Sequence, residues 1–202
     1  MLYTETVESN TLSVIQSLQS KSYTEEFLLV GGTALALQLG HRTSTDIDLF
    51  TTIKFDTEFL LNIIRVDYDI SIRHLMGHAI LVDIGEVKTD FVFQPSKIIG
   101  QSIEENSIRM ASLKDIAAMK ISAITARGRK RDFIDLYCLM NHFTLPDMIG
   151  FFLDKFKDAT AMLAVRSLFY FLDADKDFDP KCFFKYNWNN VKHTIATAAK
   201  KL

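Results

Sequence analysis

A short apolar segment near the N-terminus runs directly into two glycines, and a pair of aspartates follows a few residues later. The apolar segment is residues 27–30, the glycines are Gly31 and Gly32, and the aspartates are Asp46 and Asp48. An apolar run of this length that stops at glycine predicts a buried strand followed by a turn. The aspartates alternate with apolar residues, which predicts a second strand with both carboxylates on one face. The chain is therefore expected to contain a strand–helix–strand unit in this region.

The chemistry of these groups points to phosphate and metal. Bare N–H groups at a helix N-terminus bind phosphate oxygens, and neighbouring carboxylates suit Mg²⁺, which prefers oxygen ligands. We therefore predict that Gly31, Gly32 and the Thr33 hydroxyl hold a triphosphate, and that Asp46 and Asp48 hold metal. A plainer interpretation stays open at this point: a tight turn with Thr33 as N-cap, followed by a solvated strand. Against it, aspartate is poorly suited to strands, and like charges repel unless a cation lies between them.

Composition narrows the class of protein without assigning an activity. The 202 residues are 48% hydrophobic and 24% charged, with a formal net charge of -2. This balance supplies a core and gives no overall attraction to nucleic acid, so an RNA site would have to be a local basic patch. The two cysteines predict a reduced, cytoplasmic protein. Because we find no signal-peptide pattern and no run of about 20 apolar residues, we expect no membrane segment.

Predicted strands dominate the first half of the chain and predicted helices the second. Alternation between glycine turns predicts three further strands, at residues 70–75, 78–84 and 86–93. Helices are predicted at residues 8–18, 33–39, 57–66, 112–127, 130–143, 146–156, 159–172 and 189–200, with Asp56 and Ser112 as N-caps of the third and fourth. The pattern predicts an α+β protein with domains at residues 1–100 and 101–202.

A site with two metal ions needs a third carboxylate. Asp90 is the first candidate, because it lies among apolar residues on a later predicted strand, and Asp83 is the second. An exposed polar position on a half-solvated strand would explain Asp90 as well.

A lysine interrupts an apolar helical face in the second half. Lys120 costs stability there unless its ammonium group has an anionic partner. A triphosphate is one such partner, and Asp132 is then a candidate base or orienting group. Residues 127–131 add four basic side chains at a turn between two helices, which could hold phosphates of a nucleotide or a nucleic acid. Helix-dipole matching and ion pairs with Asp132 and Asp135 would also explain the basic turn, although not Lys120.

Two further patterns are predicted to be structural. Aspartates at alternate positions over residues 173–179 resemble a calcium loop, but the required glycine and glutamate are missing, so we predict a solvated acidic loop. The aromatic run at residues 169–171 is predicted to belong to the core.

Together, these motifs resemble those of the AbiEii/AbiGii-type nucleotidyltransferase toxins, in the DNA polymerase β-like nucleotidyltransferase superfamily. The family's first motif resembles residues 31–36 (GGTALA) and 41–50 (HRTSTDIDLF). Its later motifs resemble Lys120, Arg127 and residues 131–136 (RDFIDL), and the acidic loop after residues 169–171 is also similar. The resemblance extends over residues 27–180.

The resemblance implies a nucleotidyltransferase-like mixed β-sheet flanked by helices, with a helical C-terminal part that completes the active site. It implies Mg²⁺-dependent transfer of a nucleotidyl group from an NTP to an acceptor. The residues implied in this way are catalytic Asp46, Asp48, Lys120 and Asp132; nucleotide-binding Gly31, Gly32, Thr33, Arg42, Ser44 and Lys120; and metal-binding Asp46, Asp48 and Asp90.

The resemblance also implies partners. Members of this family often act as toxins beside a DNA-binding antitoxin, and their acceptor is frequently tRNA. We therefore expect NTP, a tRNA acceptor and an antitoxin as partners. Two other classes stay open: a nucleotide-binding regulatory protein that has lost turnover, and a metal-dependent glycosyltransferase. The complete set of Asp46, Asp48, Lys120 and Asp132 argues against the first. The second does not explain the double glycine at Gly31 and Gly32 or the motifs at Lys120 and Asp132.

Overall fold

The chain folds into two compact units in a computed structural model that describes residues 1–202. We call them the sheet unit and the helical unit. The sheet unit comprises Met1–Gly40, Ser44–Ser96 and Ser102–Ala111, and the helical unit comprises His41–Thr43, Lys97–Gln101 and Ser112–Leu202.

The sheet unit is built on one seven-stranded mixed sheet. Its strands are β1 (Leu28–Leu29), β2 (Ile47–Thr51), β3 (Ile70–Met76), β4 (Ala79–Ile84), β5 (Val87–Phe93), β6 (Ile103–Glu105) and β7 (Ile108–Met110). They lie in the order β3-β4-β5-β2-β1-β7-β6. The β2–β5 and β1–β7 pairs are parallel, and the other pairs are antiparallel. The predicted mixed sheet of an α+β protein is confirmed.

Three helices complete the sheet unit: α1 (Ser9–Gln19), α2 (Gly31–Leu39) and α3 (Thr57–Asp67). Helix α1 contacts β5 and β7, and α3 contacts β3 and β4. Apolar side chains fill the space between helices and sheet, and the Phe27 ring lies 5.3 Å from that of Phe55 and 5.7 Å from that of Phe91. Asp56 caps α3 as predicted, because its carboxylate accepts the first free N–H groups of the helix.

Five helices form the helical unit: α4 (Leu113–Ala126), α5 (Lys130–Leu139), α6 (Leu145–Lys155), α7 (Ala161–Ser167) and α8 (Trp188–Ala199). Helix α4 contacts α5, α6 and α7, and α5 contacts α8. Ser112 caps α4 as predicted, by accepting a hydrogen bond from the N–H of Asp115. No helix combines the length and the apolar character that crossing a bilayer requires.

Strands β6 and β7 are the elements that the sequence patterns missed. Asn106 and Ser107 join them, and both residues have positive φ angles, of 52° and 60°. Positive φ at both central residues is typical of the type I′ hairpin turn, which glycine usually marks in a sequence. An Asn-Ser pair is a weaker turn signal than one with glycine, so the sequence did not predict this hairpin.

The acidic loop is largely exposed, as predicted, and its carboxylates also contact the rest of the helical unit. Asp177 accepts a hydrogen bond from the Lys130 backbone N–H at 2.9 Å, and Asp179 forms an ion pair with the Lys130 ammonium at 3.1 Å. Asp175 accepts from the indole N–H of Trp188 at 2.7 Å. Because Lys130 begins α5 and Trp188 begins α8, these carboxylates tie the loop to two helix N-termini.

The aromatic run at residues 169–171 belongs to the core only in part. The ring of Phe171 packs 4.9 Å from that of Phe133, as a core residue should. However, Phe169 is 42% exposed and Tyr170 is 50% exposed. Helix α7 ends at Ser167, so the helical period that would have buried these two side chains does not continue through them.

Candidate active site

The double glycine places the N-terminus of α2 directly against the aspartate at the start of β2. Gly31 is the first residue of α2, and its φ of 70° is in the left-handed region that favours glycine. A Cβ at Gly31 would overlap Oδ2 of Asp48 and lie 3.2 Å from its Cγ. The Val30 backbone N–H donates to the Asp48 carbonyl at 2.9 Å and fixes the approach. A carboxylate and the first N–H groups of a helix thus share one small region.

Thr33 is the third residue of α2 and is not its N-cap. The position before the helix is occupied by Val30, which offers no side-chain cap. Thr33 is fully buried, and its hydroxyl contacts Ser44 Oγ at 2.9 Å and donates to the Asp46 carbonyl. Three predicted site residues are therefore linked, and Thr33 holds the segment that carries Asp46.

The register between β2 and β5 brings two predicted metal ligands together. Asp48 lies directly opposite Asp90 in the parallel pair. Ile47 and Leu49 are buried, so the carboxylates lie on the partly exposed face of the sheet, as alternation predicted. Asp46 directly precedes β2, so only Asp48 of the predicted pair lies within the strand. Neighbouring strands are about 4.8 Å apart, so Asp48 and Asp90 are close enough to share an ion.

An arginine that the sequence analysis did not single out contacts both candidates for the third carboxylate. Arg73, on β3, donates a hydrogen bond to Asp90 and forms an ion pair with Asp83 at 2.8 Å. One oxygen of Asp90 is therefore already engaged. The pairing order β3-β4-β5 creates this contact, and only a prediction of strand order and register could have found it.

The oxygen ligands of the sheet unit fit a hard divalent cation. No group of three or more His, Cys, Asp or Glu side chains is arranged to hold a metal ion. Mg²⁺, however, is usually bound through one or two carboxylates together with substrate phosphates, and not in a cage made only of protein. The facing carboxylates of Asp48 and Asp90 are an incomplete set of this kind.

In the helical unit, a buried ionic cluster collects the other predicted site residues. Asp135 is its centre: it contacts His41 Nε2 at 2.8 Å, Arg42 Nε at 2.6 Å and Lys120 Nζ at 2.6 Å. Asp132 is also fully buried and pairs with Lys120 at 3.1 Å and with Arg127 Nε at 3.1 Å. The sequence had required an anionic partner for Lys120, and two carboxylates of the same unit provide it.

Both carboxylates of the ionic cluster are ionised. Burial alone would raise the pKa of Asp135, but the charges of Lys120 and Arg42 and the hydrogen bonds from Arg42 and His41 hold that pKa well below its usual value. The pKa of Asp132 is lowered as well, because Lys120 and Arg127 outweigh the effect of burial. Both buried carboxylates are therefore held in the ionised form by the cationic side chains that surround them.

Comparison with known proteins places these motifs in a family. A family model described as "Nucleotidyl transferase AbiEii toxin, Type IV TA system" matches residues 14–197. An uncharacterized protein of Aquifex aeolicus (strain VF5) is 31% identical over 172 residues, which cover 81% of this chain and 82% of the relative.

Solved structures agree at the level of the fold. A nucleotidyltransferase candidate from Helicobacter pylori aligns with a TM-score of 0.55 at 14% identity, over 96% of this chain and 95% of that one. JHP933 from Helicobacter pylori aligns with a TM-score of 0.54 at 15% identity, over 96% of this chain and 92% of that one. Because the family model spans most of the chain, this protein belongs to the AbiEii family of nucleotidyl transferase toxins.

Proposed function

We propose that this nucleotidyltransferase moves the nucleoside monophosphate group of an NTP to an RNA acceptor, with Mg²⁺ or a similar divalent cation. The observation that carries the proposal is the position of Asp48. Its carboxylate lies against Gly31 at the N-terminus of α2 and opposite Asp90 on β5. A phosphate-binding group and a metal-binding group are thus neighbours, which is what a metal-bound triphosphate needs.

Each group in the sheet unit then has a role. The N–H groups of Gly31 and Gly32 bind triphosphate oxygens, and Asp46, Asp48 and Asp90 hold metal. A bound divalent cation would neutralise charge on the triphosphate and favour attack at the α-phosphorus. Thr33 and Ser44 act on the nucleotide by fixing the segment that leads to Asp46, as their hydrogen bonds suggest.

The ionic cluster of the helical unit contributes charge. Lys120 and Asp132 are proposed to be needed for transfer, with Lys120 providing positive charge for the triphosphate and Asp132 orienting Lys120. Arg42 is proposed to support nucleotide binding through the same cluster, since its guanidinium is held by Asp135 at 2.6 Å and 2.8 Å. The convergence of Lys120, Arg42 and Asp132 in one buried cluster supports these roles.

Family membership is the basis for a proposed biological role. We propose that the chain is the toxin of a type IV toxin–antitoxin pair, that tRNA is the acceptor, and that the reaction takes place in the cytoplasm. The family description supports the toxin role.

A transfer assay tests the proposal directly. The purified protein is incubated with total bacterial RNA, Mg²⁺ and each NTP carrying a radioactive α-phosphate. We expect a labelled RNA band with the native chain and none with Asp48→Asn. Asp158→Asn is the matched control, because Asp158 is exposed. Full transfer by Asp48→Asn would overturn the proposal, and so would failure of every NTP to label RNA.

A further inference from the structure

The helical unit contains an open cavity that no step of the proposed reaction uses. It has a volume of about 310 Å³ and lies between the C-terminal ends of α4 and α7. Its polar lining includes Arg127, Arg166, Tyr170 and Asp173. We call it the α4–α7 cavity. Pockets for small ligands start at about 300 Å³, so the volume suits one small group.

Two guanidinium groups line the α4–α7 cavity. Arg166 is exposed in the last turn of α7. Arg127 pairs with Asp132 and still leaves 49% of its side chain exposed. The helix dipole favours cations at helix C-termini, which explains why arginines occur at the ends of α4 and α7. It does not explain why both guanidinium groups line the same cavity. Paired guanidinium groups on a recess suit a phosphate group.

An aromatic ring and a carboxylate complete the lining. Tyr170 is 50% exposed, although a tyrosine in a run of three aromatic residues is expected to be buried. An exposed aromatic ring beside cationic side chains is a stacking platform for a nucleobase. Asp173 is exposed on the same recess, and a carboxylate can accept a hydrogen bond from a ribose hydroxyl. The side chains of Arg166, Tyr170 and Asp173 make no hydrogen bond or ion pair within the protein.

We propose that the α4–α7 cavity binds one ribonucleotide unit of the acceptor RNA. Arg166 and Arg127 contact its phosphate, Tyr170 stacks on its base, and Asp173 accepts a hydrogen bond from its 2′-hydroxyl. The inference rests on the proposed function only in taking the bound ribonucleotide to be part of an acceptor strand. It assigns RNA recognition to a place of its own, with recognition of ribose in preference to deoxyribose.

Fluorescence anisotropy tests the cavity without any transfer step. A fluorescein-labelled single-stranded RNA of about 12 nucleotides is titrated with protein in EDTA and without NTP. Tyr170→Ala is expected to weaken binding about tenfold or more, because stacking is lost. Tyr170→Phe keeps the ring and should bind as the native chain does. Both substitutions are at an exposed position, and circular dichroism confirms that each variant folds.

The salt dependence of RNA binding distinguishes the phosphate contact of Arg166 from the stacking contact of Tyr170. Arg166→Gln should weaken binding and reduce the slope of log K against log salt by about 0.7, the value for one phosphate contact on a single strand. Tyr170→Ala should leave that slope unchanged. Arg65→Gln is the matched control, since Arg65 is an exposed arginine of the sheet unit and should change nothing.

Binding of a DNA strand of the same sequence and of free AMP is measured for comparison, to identify which ligand the α4–α7 cavity prefers. Asp173→Ala should bring RNA binding closer to DNA binding, because the 2′-hydroxyl contact is lost. Unchanged RNA binding in Arg166→Gln and Tyr170→Ala would overturn the cavity proposal, even if transfer by the native chain is normal. Tyr170-dependent binding of free AMP without binding of RNA would assign a free nucleotide and would also overturn it. If RNA binding depends on Tyr170 but no transfer occurs, the cavity stands and the proposed reaction fails.

Discussion

At the scale of single residues, Gly31 meets two constraints that no other residue type meets together. It has a positive φ of 70°, and the space for a Cβ is filled by the Asp48 carboxylate. Gly31→Ala should therefore push Asp48 out of position. We expect transfer to fall about 100-fold, the typical effect of a displacement of about 1 Å at a reacting centre. The strained backbone should cost about 1–3 kcal/mol of unfolding free energy, which urea unfolding measures.

Gly77→Ala is the control for this substitution. Gly77 has no heavy atom within 4 Å of a built Cβ, and its φ is outside the left-handed region. Both the transfer rate and the urea midpoint should therefore stay close to the native values. Native-like transfer by Gly31→Ala would contradict a role for the contact between Gly31 and Asp48.

At the scale of elements, the adjacent strands β3, β4 and β5 place Arg73 on the carboxylate that faces Asp48. A positive charge there competes with a metal ion for Asp90. Arg73→Gln should consequently lower the Mg²⁺ concentration for half-maximal transfer, by about three- to tenfold for a partly screened charge. Asp90→Asn should raise that concentration. Both values come from Mg²⁺ titrations of the transfer rate.

Arg65→Gln controls for the loss of an exposed arginine in the same unit. It should leave the Mg²⁺ titration unchanged. If Arg73→Gln and Asp90→Asn shift the Mg²⁺ requirement in the same direction, the competition described here is wrong.

In these strands, the sequence predicted which face each side chain occupies but not which strands are neighbours. Alternation predicted correctly that Asp48 and Asp90 leave the buried face, because a period of two is a local property of every strand. That Asp48 lies opposite Asp90 depends on the parallel pairing of β2 and β5, which no local pattern encodes. The contact from Arg73 needs in addition the register between β3 and β4, which shifts between Ile72 and His74.

At the scale of the whole molecule, the buried ionic cluster was predictable only in part. Desolvation required an anionic partner for Lys120, and this requirement is met. The partner that lies closest, Asp135, was considered in the sequence as an ion-pair partner of the basic turn and as part of the motif at residues 131–136, but not as a partner of Lys120. Its central place arises because His41 and Arg42, far away in sequence, join α4 and α5 in the helical unit. Tertiary packing brings these distant residues together, so their contact could not be predicted from a single sequence.

The ionic cluster makes the stability of the chain depend on pH in a defined direction. The pKa of Asp135 is held well below its usual value in the folded chain, whereas in the unfolded chain it is about 3.9. A group with a depressed folded pKa stabilises the fold above its unfolded pKa, and that contribution disappears as the pH falls through the folded value. Asp135→Asn removes the titrating group and leaves buried cations without their partner, which costs about 3–5 kcal/mol at neutral pH.

Urea unfolding of the native chain and of Asp135→Asn at several pH values checks this dependence. The difference in unfolding free energy should be constant between about pH 5 and pH 8. It should shrink below about pH 4, because the Asp135 carboxyl group of the unfolded chain takes up a proton there while that of the folded chain stays ionised. Other buried carboxylates, such as Asp115 with Lys155 at 2.8 Å, titrate in both proteins and cancel in the difference. Asp158→Asn, at an exposed position, should match the native chain at every pH. If the difference in unfolding free energy instead widened below pH 4, the protonated form of Asp135 would be the form that stabilises the fold. That result would contradict the ionised state of Asp135.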